Sequence, residues 1–204
     1  MIAALHPQLW WWVSRATGMV ATVLLVLSLV WGVLLATRAL RQIDRPAWLL
    51  AMHRWFSALA CIGIAIHLAA LVADNYVHFS WRELFVPGGS SWKRTPVTLG
   101  VIALYIVAAV QVTSLFMRRL PKRFWRLVHL TSYVAVWLSV VHGAMAGTDA
   151  SNRVYQLAAL ALTVAAVVAA GTRAMIGTSR GQRARAASPR SALPGERRAS
   201  SLTR

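Results

Sequence analysis

The chain has 204 residues, 58% of them hydrophobic and 13% charged, with a mean hydropathy of +0.56 and a formal net charge of +17. A water-soluble domain carries about twice that share of charged residues, so the composition excludes an ordinary soluble fold and points to a membrane domain. The excess of basic residues lies beside the apolar runs, which is what the positive-inside rule produces, so the charge calls for no nucleic-acid partner.

Taken from the N-terminus, residues 1–11 form a segment outside the first apolar run. It lacks a basic start, and no small-residue cleavage site follows it, so the first span is expected to be retained. Five runs are long enough to cross a hydrocarbon core of about 30 Å, at about 12–37, 48–73, 96–117, 124–146 and 154–175. Pro46, Pro96 and Pro121 stand at or just before helix starts, where proline is tolerated. Trp10, Trp11, Trp12, Trp48 and Trp125 mark headgroup-level boundaries. The expected fold is an all-α integral membrane bundle of five spans over 12–176, followed by a disordered basic tail over 177–204 that touches anionic lipid.

Seventeen of the 22 basic residues fall on one side: at the turn after span one, at the turn after span three, and in the tail. That side is expected to be cytoplasmic, with the N-terminus outside and the C-terminus inside. The longest connection, 74–95, mixes aromatic and polar residues before Pro87-Gly88-Gly89-Ser90-Ser91, and reads as a short interfacial helix followed by a flexible stretch.

Four histidines lie inside spans. His53 and His67 are separated by 13 residues in span two, and His129 and His142 by 12 in span four. Both spans start on the inner side and run parallel, so His53 shares a depth with His129, and His67 with His142. At about 1.5 Å per residue the two levels are roughly 20 Å apart, which suits two haems stacked across one bilayer, each iron taking one imidazole from each helix. The competing reading is that each histidine is a satisfied polar group near an interface. Ionisable groups at two matched depths within a bilayer are costly and mark function. On an ideal helix His67 returns to within about 40° of His53, but His142 lies about 140° from His129. Span four must therefore tilt, distort or present its ligands from different sides. His6 and His78 lie outside the spans and are assigned as solvated and interfacial residues. Cys61 is the only cysteine, which excludes an intrachain disulfide and any multi-cysteine metal site. Tyr133 and Trp137, between the span-four ligands, read either as packing or as filling the gap between haems.

The paired-histidine spacing resembles the ferric reductase-like transmembrane domain family, which includes NADPH oxidases, ferric reductases and the haem subunit of the bacterial methionine sulfoxide reductase system. Ser14-Arg15-Ala16-Thr17-Gly18, His53-Arg54, Trp125-Arg126-x-x-His129 and His142-Gly143 resemble shorter family pieces. The resemblance covers about residues 10–175. It implies two haem b groups, one on His53 and His129 inside and one on His67 and His142 outside. It also implies Arg15 beside an outer propionate and Arg54 and Arg126 beside inner ones; for the last two, a plain positive-inside role stands as the alternative.

The chain departs from larger members in having five spans, in lacking a Gly-rich nucleotide loop, and in carrying Leu71 where NADPH oxidases have a further histidine. The implied function is a multi-pass cytochrome of the bacterial plasma membrane. It would take electrons from a separate flavoprotein or quinone and deliver them to an outer-face acceptor, any flavin residing on the partner. The competing readings are a membrane subunit that binds haem only to hold a partner complex together, and a haem-free transporter using the histidines as a proton relay.

Overall fold

A computed structural model describes residues 8–37, 46–75, 77–147 and 152–186. The described residues form seven helices: α1 (Leu9–Thr37), α2 (Pro46–Ala73), α3 (Trp81–Phe85), α4 (Arg94–Leu115), α5 (Lys122–Leu130), α6 (Ser132–Ala146) and α7 (Arg153–Ala186). Five segments are long and apolar enough to cross a membrane, with α5 and α6 together making the fourth. The protein is thus an all-helical, multi-pass membrane bundle. Large apolar side chains stand on its outside, as with Leu157 at 66% and Val168 at 60% exposure, because lipid rather than water surrounds the spans.

α1 and α2 are antiparallel partners. Small residues allow the close approach: a methyl group on Gly63 of α2 would come within 3.2 Å of the Cβ of Ala21 on α1. α6 packs against α4 and α1, and a core of Val26, Leu29, Val136, Val140 and Ala166 forms where α1, α6 and α7 meet. Tyr133 packs onto this core, whereas Trp137 is 51% exposed and faces away from the bundle, which removes it as a filler between sites. Two aromatic clusters mark the ends. Trp11 and Phe79 meet Trp92 edge-on at 5.5 and 5.9 Å, and Trp31 meets Phe56 and Trp48 at 5.3 and 6.4 Å. They are used below to name the Trp92 end and the Trp48 end.

Two findings refine the sequence reading. The fourth span is not continuous: it breaks at Thr131, whose N–H donates to Val128 O at 3.0 Å, three residues back. The hydroxyl of Thr131 donates to the same carbonyl at 2.6 Å. α7 runs on to Ala186, past Gly177 where a disordered tail is expected to begin, even though the extension holds two glycines, Gly177 and Gly181. His6 and most of the tail, residues 187–204, lie outside the described residues.

The connection between α2 and α4 is built rather than loose. Asp74 Oδ2 accepts from the Val77 N–H at 2.9 Å. Ser80 and Glu83 form a reciprocal capping box at the start of α3. Glu83 also accepts from the N–H and hydroxyl of Ser91 at 2.9 and 2.8 Å, closing the Pro87-Gly88-Gly89 turn into a ring. Tyr105 donates to Phe85 O at 2.7 Å, which ties the turn to α4. Hydrogen bonds from Ser80 and Ser91 pull the Glu83 carboxyl down to about 2. A depressed carboxylate pKa contributes order that is complete above the ordinary value near 4.5 and is lost as pH falls through about 2. The turn should therefore stay closed at any physiological pH. Glu83→Gln removes one oxygen of the clamp and should speed amide exchange over residues 86–93 roughly several-fold, read by hydrogen–deuterium exchange. Unchanged exchange would contradict the clamp.

Candidate functional site: two imidazole pairs

The four in-span histidines come together in the pairs expected from depth. The rings of His67 and His142 lie at the Trp92 end with centroids 6.4 Å apart and planes at 79°. Those of His53 and His129 lie at the Trp48 end, 6.1 Å apart and at 72°. The break at Thr131 lies between the two histidines of the fourth span. It resolves the mismatch of phase: His129 is carried by α5 and His142 by α6, so the two need not share one ideal helix face.

Three of the four rings are tethered through Nδ1. His67 donates to the Ser14 carbonyl at 2.7 Å, His53 to the Ser28 carbonyl at 2.9 Å and His142 to the Pro96 carbonyl at 2.8 Å. A carbonyl can only accept, so these three Nδ1 atoms carry the proton and Nε2 keeps its lone pair. His129 Nδ1 has only the Ser114 hydroxyl, at 3.5 Å, and its ring stacks on Trp125 at 5.1 Å. The Ser28 hydroxyl lies 3.1 Å from His53 Nδ1 and 2.7 Å from the Ser57 hydroxyl, so a second polar layer supports that ring.

The magnitudes indicate what these bonds do. Interhelical hydrogen bonds within membranes average about 0.6 kcal/mol, too little to hold the bundle, which close packing of small residues does instead. Bonds to the far nitrogen of a metal-ligating histidine change metal affinity by about 10–100-fold, because they fix the tautomer and the ring direction. Their role here is orientation.

At the Trp92 end the pair borders a largely apolar cavity of about 260 Å³, whose wall includes Arg15, Gly18, Gly100 and Tyr155. Tyr155 donates to Gly143 O, one residue past His142, and so links α7 to α6. Arg15 thus stands where a negatively charged group in the cavity would meet it. Arg54 and Arg126 are exposed, next to His53 and one turn before His129 respectively. His78 sits in the connection between α2 and α3, with a positive φ of 57°. Among the described residues no three His, Cys, Asp or Glu side chains gather into a metal site made of protein ligands alone.

The profile of the ferric reductase like transmembrane component family matches residues 8–141, about two thirds of the chain. The protein belongs to this family. The match takes in His53, His67 and His129 and ends one residue before His142. No curated protein and no solved structure shows significant similarity to the chain. As a ferric reductase-like transmembrane component, the protein is placed in electron transfer across a membrane. The geometry adds residues that the sequence reading did not single out as parts of the site: the carbonyl acceptors at Ser28 and Pro96, the Ser114 hydroxyl, and Tyr155. Backbone acceptors have no side-chain signature, so no residue pattern announces them directly.

Proposed function

We propose that this ferric reductase-like component is a transmembrane di-haem b-type cytochrome. It would pass electrons from a cytoplasmic flavoprotein or quinone donor to an acceptor on the outer face of a bacterial plasma membrane. His53 and His129 would hold the inner haem, and His67 and His142 the outer one. The observation that carries this reading is the spacing of the rings. With metal–nitrogen bonds of about 2 Å and roughly 1.2 Å from nitrogen to ring centre, two imidazoles sharing one metal would have centroids up to about 6.4 Å apart. The two pairs stand at 6.1 and 6.4 Å. Packed aromatic rings also span about 4.5–7 Å, so distance alone does not separate the readings. The tethered Nδ1 atoms of His53, His67 and His142 support the ligand reading further, because each leaves on Nε2 the lone pair that a ligand needs.

Haem, when bound, supplies a reversible one-electron iron couple at each level. The chain supplies the rest. Two imidazoles per site match a metal whose other ligands come from a macrocycle. The carbonyl bonds hold three rings in the ligating tautomer. The apolar wall at the Trp92 end limits water, and Arg15 offers a guanidinium to a propionate. At the Trp48 end the buried indole N–H groups of Trp31 and Trp125 have no partner among the described residues, and a carboxylate edge would satisfy donors of that kind. His53 and His67 are about 21 Å apart along α2, so the two levels divide a core of about 30 Å between them.

The purified protein from haem-replete cells should contain about two haems per chain, with a low-spin b-type spectrum that a low-potential donor reduces. Pyridine haemochrome assay against protein mass measures this. A colourless, folded protein would end the proposal.

A further inference from the structure

α1 carries one short pattern twice, as Ser14-x-x-x-Gly18 and Ser28-x-x-x-Gly32. The copies are offset along α1 by the same number of residues as His53 and His67 along α2. α4 has a related stretch, Pro96-x-x-x-Gly100. In all three the first residue's carbonyl accepts from a histidine Nδ1. The second residue, one turn on and on the same helix face, lies against that same ring. A methyl group on Gly100 would stand 2.7 Å from Nδ1 of His142, one on Gly18 3.0 Å from Nδ1 of His67, and one on Gly32 3.3 Å from Cε1 of His53. Each imidazole therefore rests on bare backbone.

The fourth ring breaks the pattern. One turn after Ser114 stands Arg118, the contact to His129 is a hydroxyl at 3.5 Å, and Trp125 takes the place of a bare helix surface. Other helical glycines behave differently as well. A methyl on Gly63 meets the Cβ of Ala21 and no histidine, and one on Gly171 meets nothing within 4 Å.

From these contacts we infer that Gly18, Gly32 and Gly100 are positioning residues: seats that set how far each imidazole stands from the neighbouring helix, and so where its Nε2 lies, with His129 left unseated. The inference rests on the di-haem reading. The ring pairs are spaced to within tenths of an ångström of a shared metal, so a methyl must either stretch the carbonyl bond or push the ring off its axis. The effect is confined to one level. Gly18 and Gly100 serve the outer site and Gly32 the inner.

Single alanine variants of the full-length protein, purified in detergent, test this by haem per chain, by low-spin electron paramagnetic resonance g-values and by redox titration. Gly100→Ala should retain the outer haem on the order of 10-fold less well and keep the inner one. Gly18→Ala should lower outer occupancy less. Gly32→Ala should keep both haems but shift the signal and midpoint potential of the inner one only. Gly171→Ala should change neither, and Gly63→Ala should lower thermal stability without moving either signal. If Gly100→Ala does not accumulate, Gly18→Ala and Gly32→Ala decide the matter. Wild-type protein without haem would refute the di-haem reading itself. Wild-type protein with two haems, alongside Gly18→Ala and Gly32→Ala variants of unchanged occupancy, signal and potential, would overturn only the seats. Loss of both haems in Gly18→Ala would overturn them too, since a seat acts at one level.

Discussion

His67→Ala should leave the purified protein with about one haem per chain in place of two, and the haem that remains should be the inner one. The His67 ring is fixed by the Ser14 carbonyl at 2.7 Å and faces His142 across 6.4 Å. Without it, His142 would be the one histidine of the pair left to hold the group against escape into lipid or detergent. The inner pair lies about 21 Å away along α2 and shares neither acceptor nor cavity wall with the outer one, so its occupancy should not change. His67→Leu separates ligand loss from cavity formation: leucine fills much of the space but offers no lone pair, and it should lose the same haem. Haem content and the reduced spectrum report the result. Two haems retained in both variants would contradict the pairing.

Inserting one alanine between Leu130 and Thr131 should abolish the inner haem and spare the outer one. The added residue turns α5 by about 100° relative to α6 and advances it by about 1.5 Å. α6 is held in place independently, by its packing on α4 and α1 and by the His142 bond to Pro96. His129 has no comparable anchor, since its only polar contact is the Ser114 hydroxyl at 3.5 Å. The ring should therefore leave His53 without resistance. Redox titration would show a single transition at the potential of the outer haem. Both haems at their original potentials would mean that the phase set at Thr131 does not govern His129.

Much of this architecture is legible in the sequence, for reasons that can be named. Apolar runs end at tryptophan, proline or arginine clusters, so the starts and ends of α1, α2 and α4 fall within a few residues of their expected places. The depths of the four histidines follow from counting along parallel helices, and the ring pairs form as that count requires. Thr131 was not legible. Threonine is common inside membrane helices, and only its bonds back to Val128 mark it as the break. The carbonyls that orient the rings were equally hidden, because any residue has one. A trace was present in the twin Ser-x-x-x-Gly stretches of α1, repeated at the histidine spacing. The end of α7 at Ala186 was not legible either, because the Gly-Thr-Ser-Arg-Gly stretch from Gly177 carries no helical signal of its own.

The ammonium group of Lys93 lies 3.3, 3.3 and 3.4 Å from the carbonyls of Met145, Ala146 and Gly147. These are the last acceptors of the helix that bears His142, and a cation there satisfies groups that have no partner within the helix. Lys93 also ends the connection that Glu83 and Tyr105 fasten together. The extramembrane cap and the His142 helix are thereby riveted into one mechanical unit. A sideways displacement of the cap would therefore be felt at the end of α6 that carries His142.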